Sequence, residues 1–166
     1  VALATSAAPT YFPEFNIGEN SLVDGGLVAN APDAVAAIKA MSSFGQRPEE
    51  IRMLSVGTAG GVTGEVFRDG RSAGILGWMV SRNLFGLTVA AQQEMSVSLA
   101  AGLLGKGYLR IDAIPDRARS LAIGLDKADV NATATLRSLA AQAMDEAGST
   151  RGGELASILR HVAMRG

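Results

Sequence analysis

The sequence predicts an α/β fold, because helical apolar stripes alternate with short apolar runs along a chain of 166 residues. The run Ile51–Thr58 (IRMLSVGT) has the length and the glycine ending of a buried strand. Tyr108–Ile114 (YLRIDAI) alternates well enough for a second strand and is ended by a proline. With 48% hydrophobic and 19% charged residues, the chain has the composition to bury a core.

Before residue 51 the sequence predicts two helical segments and one short strand. Val1–Ala8 is small and helix-compatible, and Ser21–Val23 is a predicted extended stretch. Asn30 is a predicted N-cap, with Pro32 in the first turn, of a helix that ends near Phe44. A helix therefore follows each extended stretch, as in other α/β chains.

Three further helices are predicted in the second half. The first has breaks at Gly77 and Gly86, and the second begins at an Asn131 cap and stops at Gly148. Their predicted ranges are Ala73–Leu104, Asn131–Ala147 and Glu154–Met164. Three strands make a small sheet for this much helix, so a partner segment is expected.

Composition excludes several classes of site. The chain has no cysteine, which excludes disulfides, thiolate zinc sites and a cysteine nucleophile. One histidine, His161, excludes a multi-histidine metal site. A net charge of -1 and 5% aromatic residues argue against a nucleic-acid polymer as partner. Absence of cysteine fits a reducing compartment, and we expect a cytoplasmic protein.

The strongest local signal is Asp24-Gly25-Gly26, which follows a predicted strand. Two residues without a Cβ allow backbone or substrate to approach the carboxylate closely. By itself the tripeptide predicts no more than a tight turn.

Three blocks around this turn resemble successive blocks of the patatin-like phospholipases, in the family's order and close to its spacing. The blocks are ATSAAPTYFP (Ala4–Pro13), VDGGLVANAP (Val23–Pro32) and LSVGT (Leu54–Thr58). The resemblance implies a three-layer α/β fold, here only the C-terminal part of its sheet and helices. Residues 1–166 would be the C-terminal portion of a single domain.

In that family the aspartate of the second block belongs to a Ser-Asp catalytic dyad, so the resemblance implies that Asp24 is the catalytic base. Gly25 and Gly26 would shape the approach to it. Family members carry a glycine-rich oxyanion block and a G-x-S-x-G nucleophile elbow before this aspartate, and neither stands before Asp24 here. The chain alone is therefore expected to be inactive.

The implied reaction is the hydrolysis of phospholipid acyl esters through an acyl-serine, with no metal or organic cofactor. The implied partners are the missing N-terminal portion and the phospholipid substrate, with peripheral contact to the membrane. Trp78-Met79, Ala91–Met95 (AQQEM) and Tyr108–Asp112 (YLRID) also resemble bacterial patatin-like effectors of antiphage systems. That subgroup implies a cyclic nucleotide activator, since such a nucleotide switches on phospholipid degradation there.

Two alternatives remain open. Gly70–Gly74 (GRSAG) matches the G-x-S-x-G pattern, so Ser72, Asp112 and His161 could form the Ser-Asp-His triad of a self-contained hydrolase. The segment before Ser72, residues 64–69, is short and charged, which disfavours the buried strand that a nucleophile elbow requires. The other alternative is a catalytically inactive interaction subunit.

A modest basic group, composed of Arg110, Arg117 and Arg119, is predicted to be a solvated face. Contact between these guanidinium groups and a lipid phosphate is the functional alternative.

Overall fold

The computed structural model describes residues 1–9, 11–60, 74, 84–124 and 126–161. Over these residues the chain is mixed α/β, as the sequence predicts. The helices are α1 (Ala2–Thr5), α2 (Gly26–Ala29), α3 (Asp33–Phe44), α4 (Leu84–Leu104), α5 (Arg117–Ala122) and α6 (Val130–Leu159). The strands are β1 (Phe15–Ile17), β2 (Asn20–Leu22), β3 (Met53–Val56) and β4 (Tyr108–Ile111).

β1 and β2 form an antiparallel hairpin with a two-residue turn at Gly18 and Glu19. Gly18 has φ = 61°, a left-handed conformation that suits glycine and fits a tight hairpin. β2 is the predicted strand at 21–23, shifted by one residue, whereas β1 was not predicted. The hairpin leads the chain directly into Asp24.

β3 and β4 pair in parallel and carry helices on both faces. Leu109 and Ile111 pack with Leu139 and Ala143 of α6 on one face. On the other face, Tyr108 packs with side chains of α3 and α4, and the buried members of that cluster are Ala37, Ala100 and Leu104. The described part of the chain thus has a helix, sheet and helix arrangement around this pair of strands.

α3 ends near Phe44 as predicted, but the prediction that Asn30 caps its N-terminus is wrong. The helix begins at Asp33, and Pro32 occupies the N-cap position. The Asn30 side chain instead donates to Gln93 Oε1 of α4 at 2.9 Å. At the other end Gly45, with φ = 64°, forms a left-handed C-cap whose N–H donates to the Ala40 carbonyl.

α4 continues without interruption through Gly86, so the predicted break there is wrong. Glycine costs only about 1 kcal/mol relative to alanine inside a helix, and the packing of Ala100 and Leu104 outweighs this. The predicted break at Gly77 lies outside the described residues.

α6 consists of two helical halves joined at a kink, which agrees with the two helices predicted in this region, but the predicted cap and stop of the first half are displaced. Its N-cap is Asp129, whose carboxylate accepts from the Ala132 N–H at 2.9 Å, and not Asn131. It passes through Gly148 and has its kink at Arg151 (φ = −132°, ψ = 22°). Side chains before and after the kink pack on one core around Leu109, which keeps both halves against the sheet.

α5, which was not predicted, is capped by Asp116. The Asp116 carboxylate accepts from the Arg119 backbone N–H at 2.9 Å and from the Arg119 guanidinium at 2.8 Å. These two hydrogen bonds hold the pKa of Asp116 below its ordinary value, the backbone bond contributing most. Arg119 is therefore engaged at a helix terminus.

A buried hydrogen bond joins the sheet to α3. The Tyr108 hydroxyl donates to Asp33 Oδ1 at 2.8 Å, and Tyr108 and Asp33 are only 5% and 6% exposed. Burial, which disfavours the phenolate, raises the pKa of Tyr108 above its ordinary value. The contact gives the buried Asp33 carboxyl group a hydroxyl donor as its partner.

Replacing Tyr108 with Phe should lower the free energy of unfolding by about 1–3 kcal/mol, because the buried Asp33 carboxylate loses its donor. Urea unfolding of this chain measures the loss. Tyr11→Phe, at an exposed tyrosine, is the control and should stay within about 0.5 kcal/mol of wild type.

The same substitution changes the pH dependence. Since the folded-state pKa of Tyr108 is raised, its contribution to stability is full below about pH 10 and is lost as pH rises through the raised value. The wild type should therefore lose stability at alkaline pH more steeply than Tyr108→Phe. Equal stability of the two proteins at neutral pH would contradict the role of this contact.

Candidate active site

Asp24 lies between the β1–β2 hairpin and α2, at the turn that the sequence predicts. Its backbone N–H donates to the Ala7 carbonyl at 3.0 Å, which ties the turn to the chain after α1. Its own carbonyl accepts from the Leu27 N–H at 3.2 Å. The residue is partly buried, so its carboxylate is both held in position and reachable.

The two carboxylate oxygens of Asp24 have different surroundings. Oδ1 accepts from the Gly26 N–H at 2.7 Å, a short bond across two residues. Among the described residues, none donates a hydrogen bond to Oδ2. A carboxylate oriented through one oxygen, with the other oxygen open, has the arrangement that a general base requires.

The two glycines after Asp24 differ in the space around them. A Cβ on Gly26 would lie 3.1 Å from Asp24 Oδ1 and 3.3 Å from Asn30 Oδ1, tighter than ordinary van der Waals contact. A Cβ on Gly25 would meet nothing within 4 Å. A side chain at position 26 would therefore crowd the Asp24 carboxylate, whereas one at position 25 would not.

α4 holds the segment that follows Asp24. Besides the bond between Asn30 and Gln93, the Ser96 hydroxyl donates to the Ala31 carbonyl at 2.6 Å and accepts from the Ala34 N–H at 3.1 Å. One hydroxyl thus satisfies a carbonyl before α3 and an orphan N–H in its first turn. The sequence analysis did not select Ser96, and since α4 carries several other polar residues, no local signal distinguishes it.

A second polar cluster lies at the carboxyl ends of β3 and β4. Arg110 donates to Ser55 Oγ at 2.8 Å and to Asp112 Oδ2 at 2.6 Å. Asp112 Oδ1 accepts from the backbone N–H groups of Ala59 and Ala113, at 3.2 and 3.0 Å. Arg110 is thus a partly buried, paired residue and not part of a solvated basic face with Arg119, contrary to the sequence prediction.

The cluster requires glycine at position 57 and an unusual backbone at Ala59. A Cβ on Gly57 would overlap the Asp112 carboxylate. Ala59 has φ = 56°, which is rare for a residue other than glycine, and its N–H points at that same carboxylate. The Asp112 side chain therefore fixes the loop after β3.

A cavity of about 550 Å³ lies between α4 and the end of β4. Its wall is mostly apolar, and its polar members include Gln93, Glu94, Arg110 and Asp112. Gln93 also binds Asn30, so one wall of the cavity adjoins the segment after Asp24.

The alternative triad finds no support among the described residues. Ser72 lies outside them. The hydrogen bonds of Asp112 go to Arg110, Ala59 and Ala113, and none of those described goes to His161. His161 follows the exposed C-terminal end of α6, and its backbone N–H donates to the Ile158 carbonyl.

No group of three or more His, Cys, Asp or Glu side chains within the described ranges could hold a metal ion. Among the helices described, none has the length and apolar character needed to cross a membrane.

Gly57→Ala should destabilise the chain by at least about 2 kcal/mol, because the added methyl group displaces the Asp112 carboxylate from Arg110 and Ala59. Thermal or urea unfolding measures the loss. Gly102→Ala in α4, where nothing lies within 4 Å of the new Cβ, is the matched control and should stabilise by up to about 1 kcal/mol. Similar effects of the two substitutions would show that Asp112 does not occupy this position.

Comparison with known proteins identifies a relative. No family model matches the chain, and no solved structure matches it. Over 142 residues the chain is 34% identical to a cGAMP-activated phospholipase of Pseudomonas aeruginosa (strain BWHPSA011 / Pa011). The match takes in 82% of this chain but 41% of that protein, so the chain spans about two-fifths of the relative's length. This similarity to a phospholipase supports the resemblance to the patatin-like phospholipases that the three sequence blocks indicate.

Proposed function

We propose that this chain is the C-terminal portion of a patatin-like phospholipase domain and supplies Asp24 as the base of a Ser-Asp dyad. The observation that carries the proposal is the Asp24 carboxylate, which is oriented by the Gly26 N–H through Oδ1 and is open at Oδ2. The phospholipase relative supports the reaction class. We call the polypeptide in which the natural upstream sequence precedes Val1 the parent enzyme.

In the proposed reaction, a serine of the upstream portion attacks the carbonyl carbon of a phospholipid acyl ester. Asp24 Oδ2 accepts the hydroxyl proton as the Oγ–C bond forms, and the carbonyl electron pair moves to its oxygen. Collapse of this tetrahedral intermediate expels the lysophospholipid oxygen, which takes the proton back from Asp24. Water then attacks the acyl-serine by the same steps, with Asp24 accepting and returning one proton.

Stabilisation of the oxyanion is assigned to the upstream glycine-rich block that the family resemblance implies. Backbone N–H groups of such a turn stabilise negative charge at the tetrahedral stage. Gly26 has a different task in this scheme, since its N–H is already directed at Asp24 Oδ1 and fixes the base. A three-layer patatin-like domain would bring the two portions together.

Asp24→Asn in the parent enzyme should lower kcat for an aryl or phospholipid ester by about 10²–10⁴-fold, since the amide cannot accept the serine proton. The amide oxygen can still accept from Gly26, so the thermal unfolding temperature should be nearly unchanged. Asp145→Asn, on the exposed side of α6, is the control and should keep full activity. Wild-type turnover in Asp24→Asn would remove Asp24 from the mechanism.

We also propose that a cyclic nucleotide activates the parent enzyme at a membrane surface. The relative is a cGAMP-activated phospholipase, and phospholipid substrates lie in bilayers. The turn that holds Asp24 adjoins a loop in which Tyr11 and Phe12 are exposed. The Asp24 N–H donates to the Ala7 carbonyl, and the Phe12 N–H donates to the carbonyl of the next residue, Ala8. Aromatic side chains of this kind suit the membrane interface.

With phospholipid vesicles, cGAMP should increase fatty-acid release by the parent enzyme at least tenfold and the enzyme should co-sediment with the vesicles. Cyclic AMP at the same concentration is the control. If fatty-acid release with cGAMP does not exceed release with cyclic AMP, or release without any nucleotide, activation by a cyclic dinucleotide is contradicted.

A further inference from the structure

We propose that Gln93 of α4 is a positioning residue for the Asp24 carboxylate and that it acts through the side chain of Asn30. This inference rests on the proposed function, because it assigns a positioning residue to the same base. Gln93 belongs to the segment Ala91–Met95, which resembles the bacterial effectors and has no role in the dyad itself.

α2, a single helical turn, connects Asp24 to Asn30. At its start the Gly26 N–H donates to Asp24 Oδ1 at 2.7 Å. The Gly25 carbonyl accepts from the Ala29 N–H at 2.9 Å, which closes the turn. Asn30 is the C-cap residue of the same turn. Because a hydrogen-bonded turn moves as one piece, an attachment at Asn30 also fixes the direction of the Gly26 N–H.

The Asn30 amide is attached to α4 in one orientation. Its Nδ2 donates to Gln93 Oε1 at 2.9 Å, across 63 residues of sequence. Its Oδ1 lies 3.3 Å from the point that a Cβ on Gly26 would occupy, and Asp24 Oδ1 lies 3.1 Å from that same point. The amide therefore has its donor on Gln93 and its oxygen beside the glycine that orients the base.

Two side chains of α4 hold this region, and they act on different elements. Gln93 and Ser96 are three residues apart, so they lie on the same face of the helix. Ser96 bonds the Ala31 carbonyl and the Ala34 N–H, which flank the start of α3. Gln93 bonds the residue that ends α2, on the side toward Asp24. Ser96 therefore anchors α3, while Gln93 orients the turn that carries the base.

The bond between Asn30 and Gln93 is exposed, so its contribution to stability is small. Water can satisfy either partner, but it cannot fix the direction of α2. A base must lie within hydrogen-bond reach of the proton that it accepts. Misplacement by about 1 Å can lower a rate by about 10²-fold. Loss of this bond should therefore lower turnover without an equal loss of stability.

The test compares two glutamine variants of the parent enzyme. Gln93→Ala should lower kcat for an aryl ester by about tenfold and leave KM within about twofold, because the base is displaced while substrate binding is not. Gln142→Ala is the matched control, since Gln142 Oε1 also accepts an exposed hydrogen bond at 2.9 Å, from Arg119. It should keep wild-type kcat, and the two variants should have similar Tm values.

A double-mutant cycle tests whether Gln93 acts through Asn30. Asn30→Ala alone should also lower kcat, and adding Gln93→Ala to it should change kcat by less than about twofold. Hydrogen exchange gives a readout that does not require turnover. The Gly26 amide should exchange faster in Gln93→Ala than in wild type or in Gln142→Ala.

Wild-type kcat in Gln93→Ala, additive losses in the cycle or unchanged exchange at Gly26 would each overturn the proposal. A raised KM with unchanged kcat would make Gln93 a substrate contact in the cavity that it lines, and would overturn the proposal as well. Any of these results, in an enzyme that Asp24→Asn inactivates, leaves the dyad standing. Full activity in Asp24→Asn would remove the dyad and the positioning role together.

Discussion

The buried hydrogen bond from the Tyr108 hydroxyl to Asp33 is the contact on which the placement of the candidate base depends. It ties the start of α3 to the sheet, and Ser96 ties the residues just before and after that start to α4. Asn30 adds a third attachment through Gln93. Because these contacts lie within ten residues of Asp24, the turn carrying it has a fixed relation to the sheet and to α4. A general base gains from such fixation, since its reach is limited to hydrogen-bond distance.

Under the proposed function, the candidate base is oriented by contacts within this chain. Asp24 needs no nucleophile in order to be oriented, because the Gly26 N–H performs that task locally. The Arg110 and Asp112 side chains likewise form an ion pair within this chain. Among the described residues, Leu54 and Val56 of β3 lie exposed beside the buried side chains of β4.

The sequence predicted the strongest local patterns, but it missed weaker local features, namely β1, α5 and the Asp129 cap, as well as features that depend on distant contacts. β3 and β4 were found because a short apolar run ending at glycine or proline is a local signal. The break at Gly86 was wrong, and the interruption predicted at Gly148 lies at Arg151 instead, because packing outweighs the helix penalty of about 1 kcal/mol at a glycine. The cap at Asn30 was wrong because its side chain binds Gln93, 63 residues away. The position of Asp24 at a turn was correct, while its catalytic role came from family resemblance and stays a prediction.

The most direct measurement of the central claim is to label the parent enzyme with a fluorophosphonate and map the modified serine by peptide mass spectrometry. The dyad predicts a single labelled serine upstream of Val1, in a G-x-S-x-G sequence, and much slower labelling in Asp24→Asn. Labelling at Ser72, at the same rate in wild type and in Asp24→Asn, would contradict the assignment of Asp24 as the base.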